Sequence, residues 1–362
     1  MQEQYPSAVA LMKKQLKGIR EASVPLDLTT IRGLMIGILE VQDRDIFTRH
    51  VGNDGKTFRC SEAFVGRFVK RELGWSKRQA TRAGQKVPPD APEQMKHHAL
   101  RLAVDIRDHS IPASCCVNSD QTGRTYSQSG GSTYDPIGAT QVSVVGKEDK
   151  RAFTIMVGIS MSGAVLPFQI MYSGKTTMSL PAINHPTSEF KNANDEAKRL
   201  RFRFEHTGLA SNHWSNLVTM KSYVQNILSV YFNEQRELLG RGNQACIWTI
   251  DCWSVHRSED FRTWMRENYP WILVRYVPGG CTGIFQPCDV GIQRILKHAM
   301  KKTALSHIVK ETVAHLDNNK DPATILLTKA VGVLRNRSVE WLVNGYKAIN
   351  TPGIVKKVCA PD

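Results

Sequence analysis

The chain has 362 residues, room for two or three domains and a sizeable core. Hydrophobic residues make up 41% and charged residues 22%, an ordinary globular composition that excludes a fibrous or wholly disordered chain. Lys and Arg number 48 against 33 Asp and Glu, and the resulting +15 points to a polyanionic partner, nucleic acid first. An acidic membrane surface is the weaker candidate, because neither an anchor nor a basic amphipathic helix is found. Residues 1–18 lack an apolar run followed by a small-residue cleavage site, so secretion is not expected. The most apolar stretch, residues 153–172, is broken by Gly158, Gly163, Pro167 and Gln169 and reads as two strands, not as a membrane span. Eight cysteines show no C-x-x-C and no zinc spacing, which suits reduced thiols in the cytosol or nucleus.

Residues 1–87 read as helical. Apolar positions at Ile31, Leu34, Met35, Ile38, Leu39, Ile46 and Phe47 predict a helix over 29–48. A polar loop follows at 51–56. Ser61 caps the next helix, with Phe64, Val65, Phe68 and Leu73 as its inner face and Gly74 as its end. Residues 75–86 form a third, basic segment. Between 56 and 86 nine Lys or Arg face two Glu, a net +7 in 31 residues. Shared with aromatic core positions in one small domain, this pattern points to a helix–turn–helix laid on DNA through Arg67, Lys70, Arg71, Lys77, Arg78, Arg82 and Lys86. Pro88, Pro89 and Pro92 mark a boundary, and 88–110 is a linker carrying a helix over 93–108.

Beyond the linker the pattern changes. Strands are predicted at 114–118, 140–145, 151–160 and 164–172, the last two joined by a hairpin at 161–163. Residues 175–212 are polar and irregular, with a strand-like patch at 201–205. A long amphipathic helix over 214–239, a buried strand over 245–250, a helix over 258–268, a strand over 271–277 and a basic helix over 288–315 complete 111–315, leaving 316–362 as a helical tail. Strands first, then strand–helix alternation, predict an α/β fold: a ribonuclease-H-like mixed sheet with flanking helices, preceded by a small all-α helix–turn–helix domain.

Three acids stand at the expected ends of these elements. Asp120 is placed just past the first strand, Asp251 ends the buried strand, and Asp289 opens the basic helix. Each alone is explained as a turn or helix-start residue. Together they converge if the two strands are neighbours. Clustered carboxylates in a basic protein imply hard divalent cations, Mg²⁺ or Mn²⁺, two of which activate a water or a 3′-hydroxyl and stabilise the leaving oxygen of a phosphodiester.

The segments N-S-D-Q-T-G (118–123), D-C-W-S-V-H (251–256) and Q-P-C-D-V-G (286–291) resemble the three acidic motifs of DDE superfamily endonucleases, nearest to the pogo-like transposases. Independently, F-R-C-S-E-A-F-V-G-R-F-V-K-R (58–71) and Q-K-V-P (85–88) resemble the end of a centromere-protein-B-type helix–turn–helix. The resemblance implies that Asp120, Asp251 and Asp289 are catalytic metal ligands holding two Mg²⁺ or Mn²⁺ ions. It implies that His256 contacts a phosphate or orients a ligand, and that Gln286 and Pro287 shape the turn aiming Asp289. Lys297 is read as solvated, with a DNA backbone contact as the second choice. The chain departs from the family in showing a single recognisable helix–turn–helix unit and in carrying Cys252, Trp253 and Cys288 beside the acids.

The implied function is a transposon-derived nuclear endonuclease that cuts and joins double-stranded DNA, with a homodimer expected because transposition pairs two ends. A domesticated, catalytically silent DNA-binding protein is the alternative. A ribonuclease-H-like nuclease acting on RNA or a hybrid is the third reading, disfavoured by a module that reads the DNA major groove.

Overall fold

The computed structural model describes residues 5–21, 28–43, 45–49, 57–76, 88–126, 151–184, 190–209, 212–317, 328 and 330–359. The chain divides into two compact units, Met1–Ala83 and Gly84–Asp362.

In the first unit, helices α1 (Pro6–Glu21), α2 (Leu28–Gln42) and α3 (Glu62–Leu73) bury one stripe each. Met12 and Leu16 of α1, Ile31, Met35 and Leu39 of α2, and Val65 and Phe68 of α3 meet in one core, as four-residue spacing on a helix requires. The predicted cap of α3 is present. Ser61 Oγ accepts from the Phe64 N–H at 3.2 Å, and Gly74 closes the helix at φ 66°, a left-handed conformation that costs glycine little. Lys13 of α1 pairs with Glu72 of α3 at 2.9 Å. Replacing Ser61 by Ala removes the cap's acceptor and is expected to cost about 1 kcal/mol in chemical denaturation. The predicted helix over 29–48 stops at Gln42, and its last residues form turns in which Ile46 still reaches the core.

The second unit is built on a six-stranded sheet of order β4-β3-β2-β1-β5-β6. Helix α4 (Ala91–Asp108) precedes it, tied to the sheet edge by Asp105, which accepts from Arg275 Nε and Nη2 at 2.6 and 2.8 Å. Strands β1 (Cys116–Thr125), β2 (Ala152–Ser160) and β3 (Gln169–Tyr172) form an antiparallel meander, turned at Gly163, φ 101°. After helix α5 (Lys191–Arg199), β4 (Arg203–His206) adds parallel to β3. Helix α6 (Leu217–Tyr223) passes through a π-turn at Val224–Leu228 into α7 (Ser229–Leu238). Strand β5 (Cys246–Ile250) then lies parallel to β1, and after α8 (Ser254–Arg257) and α9 (Glu259–Asn268), β6 (Ile272–Tyr276) lies parallel to β5. The short α10 (Thr282–Phe285) leads to a π-turn at Cys288–Ile292, continued by α11 (Gln293–Asp317), α12 (Val331–Ile349) and α13 (Pro352–Cys359). An antiparallel meander whose first strand is flanked by parallel crossovers is the ribonuclease-H-like sheet expected from the sequence, here with β4 added at one edge.

Every residue of β2 is buried, so the sheet is covered on both faces. Phe153, Ile155, Val157 and Ile159 point to Ile292, Leu296, Met300, Trp341, Leu342 and Tyr346. Met156 points the other way, to Met220, Tyr223, Val224, Trp248 and Phe261. Tyr172 is bonded to Ser338 at 2.7 Å, and Tyr346 donates to the Val165 carbonyl at 2.7 Å. These bonds make α12 part of the second unit's core, which continues past 315. Gly291 marks a second close approach: a Cβ there would lie 2.4 Å from Val358 of α13.

The first strand differs most from expectation. It runs through Asp120 to Thr125, because β2 offers a continuous apolar ladder from Ser160 back to Ala152 that pairs residue for residue with a polar partner. The polar stretch 175–212 also contains α5, whose sequence lacks an apolar stripe and buries Asn194 and Ala197. The predicted strand at 140–145 lies outside the described residues. Among the described residues no helix is long and apolar enough to cross a membrane, and residues 153–172 form β2 and β3.

Candidate active site

The parallel pairing of β1 with β5 sets Asn118 opposite Thr249. Two residues further along each chain, Asp120 stands level with Asp251, which follows the last residue of β5. Adjacent strands lie about 4.8 Å apart, and residues two apart share a face. That face is the one covered by α11, and Asp289 sits in the π-turn that opens this helix. Mid-strand Asp120 is 8% exposed.

The Asp120 and Asp289 side chains lie near enough for each to act on the other's protonation. Burial first, then the neighbouring charges of Asp289 and Asp251, hold the Asp120 carboxyl well above the usual carboxylate range. Burial raises Asp289 as well, against the opposing pull of Asp120 and of the Lys297 charge. Two acids in this relation share a proton more readily than they ionise together. Gln293 Nε2 donates to Asp120 Oδ2, and Gln293 Oε1 accepts from Lys297 Nζ at 3.3 Å. Asp289, Gln293 and Lys297 recur every four residues and so share one side of the helix. Lys297 is exposed, as its reading as solvated had it, while its ammonium lies near enough to feel the Asp289 and Asp120 charges; partial desolvation lowers its pKa against their pull.

Asp251 is held differently. Its Oδ1 lies 2.7 Å from His256 Nδ1, and the ring is 1% exposed. Trp248, Trp253 and Phe261 surround the imidazole, Tyr276 donates to the His256 backbone carbonyl at 2.7 Å, and Nε2 has no hydrogen-bond partner. A ring buried in this way does not meet a phosphate from solvent. What the ring does reach is the Asp251 carboxylate.

The residues present suit a hard divalent ion. Two neighbouring carboxylates, both pushed toward protonation, are relieved by a cation as well as by a proton, and the donors are all oxygens. The three acids do not close into one ready ligand set: among the described residues no group of three or more His, Cys, Asp or Glu side chains is disposed to hold a metal. Asp120 and Asp289 form the pair, while Asp251, engaged by His256, stands one strand over. Gln293 was not singled out from the sequence, although its place four residues after Asp289 on a helix was a signal.

Of the basic residues expected on DNA, Arg67, Lys70 and Arg71 lie exposed on α3, with Arg71 paired to Glu72 at 3.2 Å. Lys77, Arg78, Arg82 and Lys86 lie outside the described residues. All eight cysteines are free thiols.

No family model and no curated protein matches the chain. Among solved structures it is similar to a pre-cleavage Mos1 transpososome (12% identity, TM-score 0.41, covering 87% of this chain and 77% of that one). It is similar also to the Mos1 mariner paired-end complex with Mn (12% identity, TM-score 0.40, covering 96% of each chain). The catalytic domain of Mos1 mariner transposase gives 12% identity and a TM-score of 0.34, covering 76% of this chain and 96% of that one. Overlap at this level leaves the functional argument to the chain's own residues.

Proposed function

We propose that the protein is a divalent-metal-dependent endonuclease of the transposase kind, acting on double-stranded DNA. One observation carries this reading: Asp120, Asp289 and Asp251 lie near enough for their charges to act on one another, on the central strands β1 and β5 of a ribonuclease-H-like sheet and the turn beside them, in a chain of net charge +15. Apposed carboxylates are costly to bury, and a strongly basic protein has little use for them except beside a polyanion.

Asp120, Asp289 and Asp251 would hold the metal, and two Mg²⁺ or Mn²⁺ ions would supply activation of a water or 3′-hydroxyl and stabilisation of the leaving oxygen. His256 fixes the Asp251 carboxylate. Gln293 fixes Asp120 through one oxygen, leaving the other lone pairs for a cation. Lys297 supplies positive charge next to the acids. The exposed basic residues of α3 add affinity that weakens steeply with salt.

The full-length protein with Mn²⁺ is expected to nick supercoiled DNA, and Asp251→Asn to abolish the nicking. An unchanged rate in that variant removes the mechanism. A silent DNA binder would take up no Mn²⁺ in calorimetry, and a ribonuclease would prefer an RNA–DNA hybrid to the duplex. His256→Ala, which frees Asp251 without removing a ligand, is expected to lower kcat about 10–100-fold and leave KM for DNA unchanged.

A further inference from the structure

The three acids stand on separate pieces of chain: strand β1, the exit of β5 and the π-turn that opens α11. Asn118 joins all three. Its Nδ2 donates to the backbone carbonyl of Thr249, two residues before Asp251, at 3.1 Å. Its Oδ1 accepts from the backbone N–H of Cys288, the residue before Asp289, at 3.1 Å. Asn118 itself lies two residues before Asp120, on the same face of β1. Around it the π-turn is tied down again: the Cys288 thiol donates to the carbonyls of Asn118 and Val157 at 3.7 and 3.8 Å, and Gln286 Nε2 donates to the Ser119 carbonyl at 3.2 Å.

The chemistry requires an amide. A short planar group must donate to one chain and accept from another at the same time. A carboxylate cannot donate, a hydroxyl does not reach as far, and an aliphatic side chain does neither. Asn118 is 7% exposed, so each of its bonds satisfies a group that water does not reach. Acids held near one another repel, and left to themselves their backbones would move apart. A hydrogen-bonded bridge between those backbones sets their spacing instead.

We propose that Asn118 is a positioning residue that presets the spacing of the backbone segments carrying Asp120, Asp251 and Asp289, so that only their side chains have to move when a cation arrives. Its catalytic consequence rests on the nuclease reading; the bridge itself does not.

The test uses Asn118→Leu, which keeps the branched outline and removes both bonds, and Asn118→Asp, which keeps the acceptor for Cys288. In the Leu variant, hydrogen exchange at the Cys288 amide is expected to accelerate about tenfold or more while β2 stays protected, and the Asp variant is expected to restore the protection. Mn²⁺ affinity of the Leu variant by calorimetry and kcat for nicking are expected to fall about 10–100-fold, with KM for DNA unmoved. A folded Leu variant with unchanged exchange at Cys288 and unchanged Mn²⁺ affinity overturns the proposal. Should that variant not fold, Asn118→Ser is measured by the same two criteria. Wild-type protein that binds no Mn²⁺ and cuts no DNA sinks the nuclease reading instead, and exchange at Cys288 then decides the bridge alone.

Discussion

Asp120→Asn is expected to lower Mn²⁺-dependent nicking by about 10³-fold or more, and at the same time to raise the unfolding temperature of the metal-free protein by about 2–4 °C. Both effects come from the same carboxyl group. Asp120 is buried, within reach of the Asp289 and Asp251 charges. A carboxylate in that position weakens the fold whenever no cation or proton offsets it. Asparagine keeps the shape. Its amide nitrogen can donate to Asp289, and its oxygen can still accept from Gln293, which now donates to Asp120. The repulsion disappears, and an oxygen ligand for the ion disappears with it. Stabilisation that accompanies loss of activity marks a site kept for function and not for folding. The measurements are thermal unfolding in chelator and plasmid nicking in Mn²⁺. A variant less stable than wild type shows the carboxyl group to be structural. A variant equally active shows that Asp120 holds no ion.

Most of the second unit was legible in the sequence, because its strands are apolar runs and its helices carry stripes. The runs at 151–160 and 245–250 became β2 and β5, and the helix expected over 258–268 is α9, with Ser258 as its cap. What escaped is instructive. Asp120 was expected past the end of a strand because Asn118 to Gly123 is polar. That stretch is strand only through its pairing with β2, which is information held 30 or more residues away along the chain. Helix α5 escaped because it lies over the core with two small contacts, too few to leave a period. The helix α12 repeats apolar residues at Leu334, Trp341, Leu342 and Tyr346, yet pattern alone does not say which surface such a stripe covers; Ser338 and Tyr346 find β3 and the β2–β3 connection. The three acids were legible as types at element ends. Their unequal partnership was not, since the approach of Asp289 to Asp120 and the Asp251–His256 pair depend on register and on where a π-turn places Asp289. Asn118 and Gln293 left the weakest trace. A polar side chain on an inner face is visible only when the face is known, and its partners are backbone groups that carry no sequence signal.

The same acid pair sets an expected dependence on pH. The folded-state pKa values of Asp120 and Asp289 are raised, so between the ordinary carboxylate value, about 3.9, and the raised values the native state binds more protons than the unfolded chain. The stability these groups contribute is fully present below the ordinary value and is lost as pH rises through the raised ones. Metal-free protein should therefore lose stability, as pH rises from the ordinary carboxylate value through the raised ones, more steeply than the Asp120→Asn variant. Other titrating groups are common to both proteins and cancel in the difference. A divalent ion competes with the shared proton, so Mn²⁺ affinity should climb over the same interval, by up to about tenfold per pH unit while one proton is displaced. At an ion concentration of about 100 Kd the stabilisation is about 2.7 kcal/mol, so the Mn²⁺-induced rise in unfolding temperature should be largest where the metal-free protein is weakest. Unfolding curves with Mn²⁺ and with chelator across that pH interval, for both proteins, test this. Parallel curves for wild type and variant would mean that the acids are not coupled, and an Mn²⁺ shift independent of pH would mean that the ion binds elsewhere. Protons and divalent ions are, on this account, alternative occupants of one site.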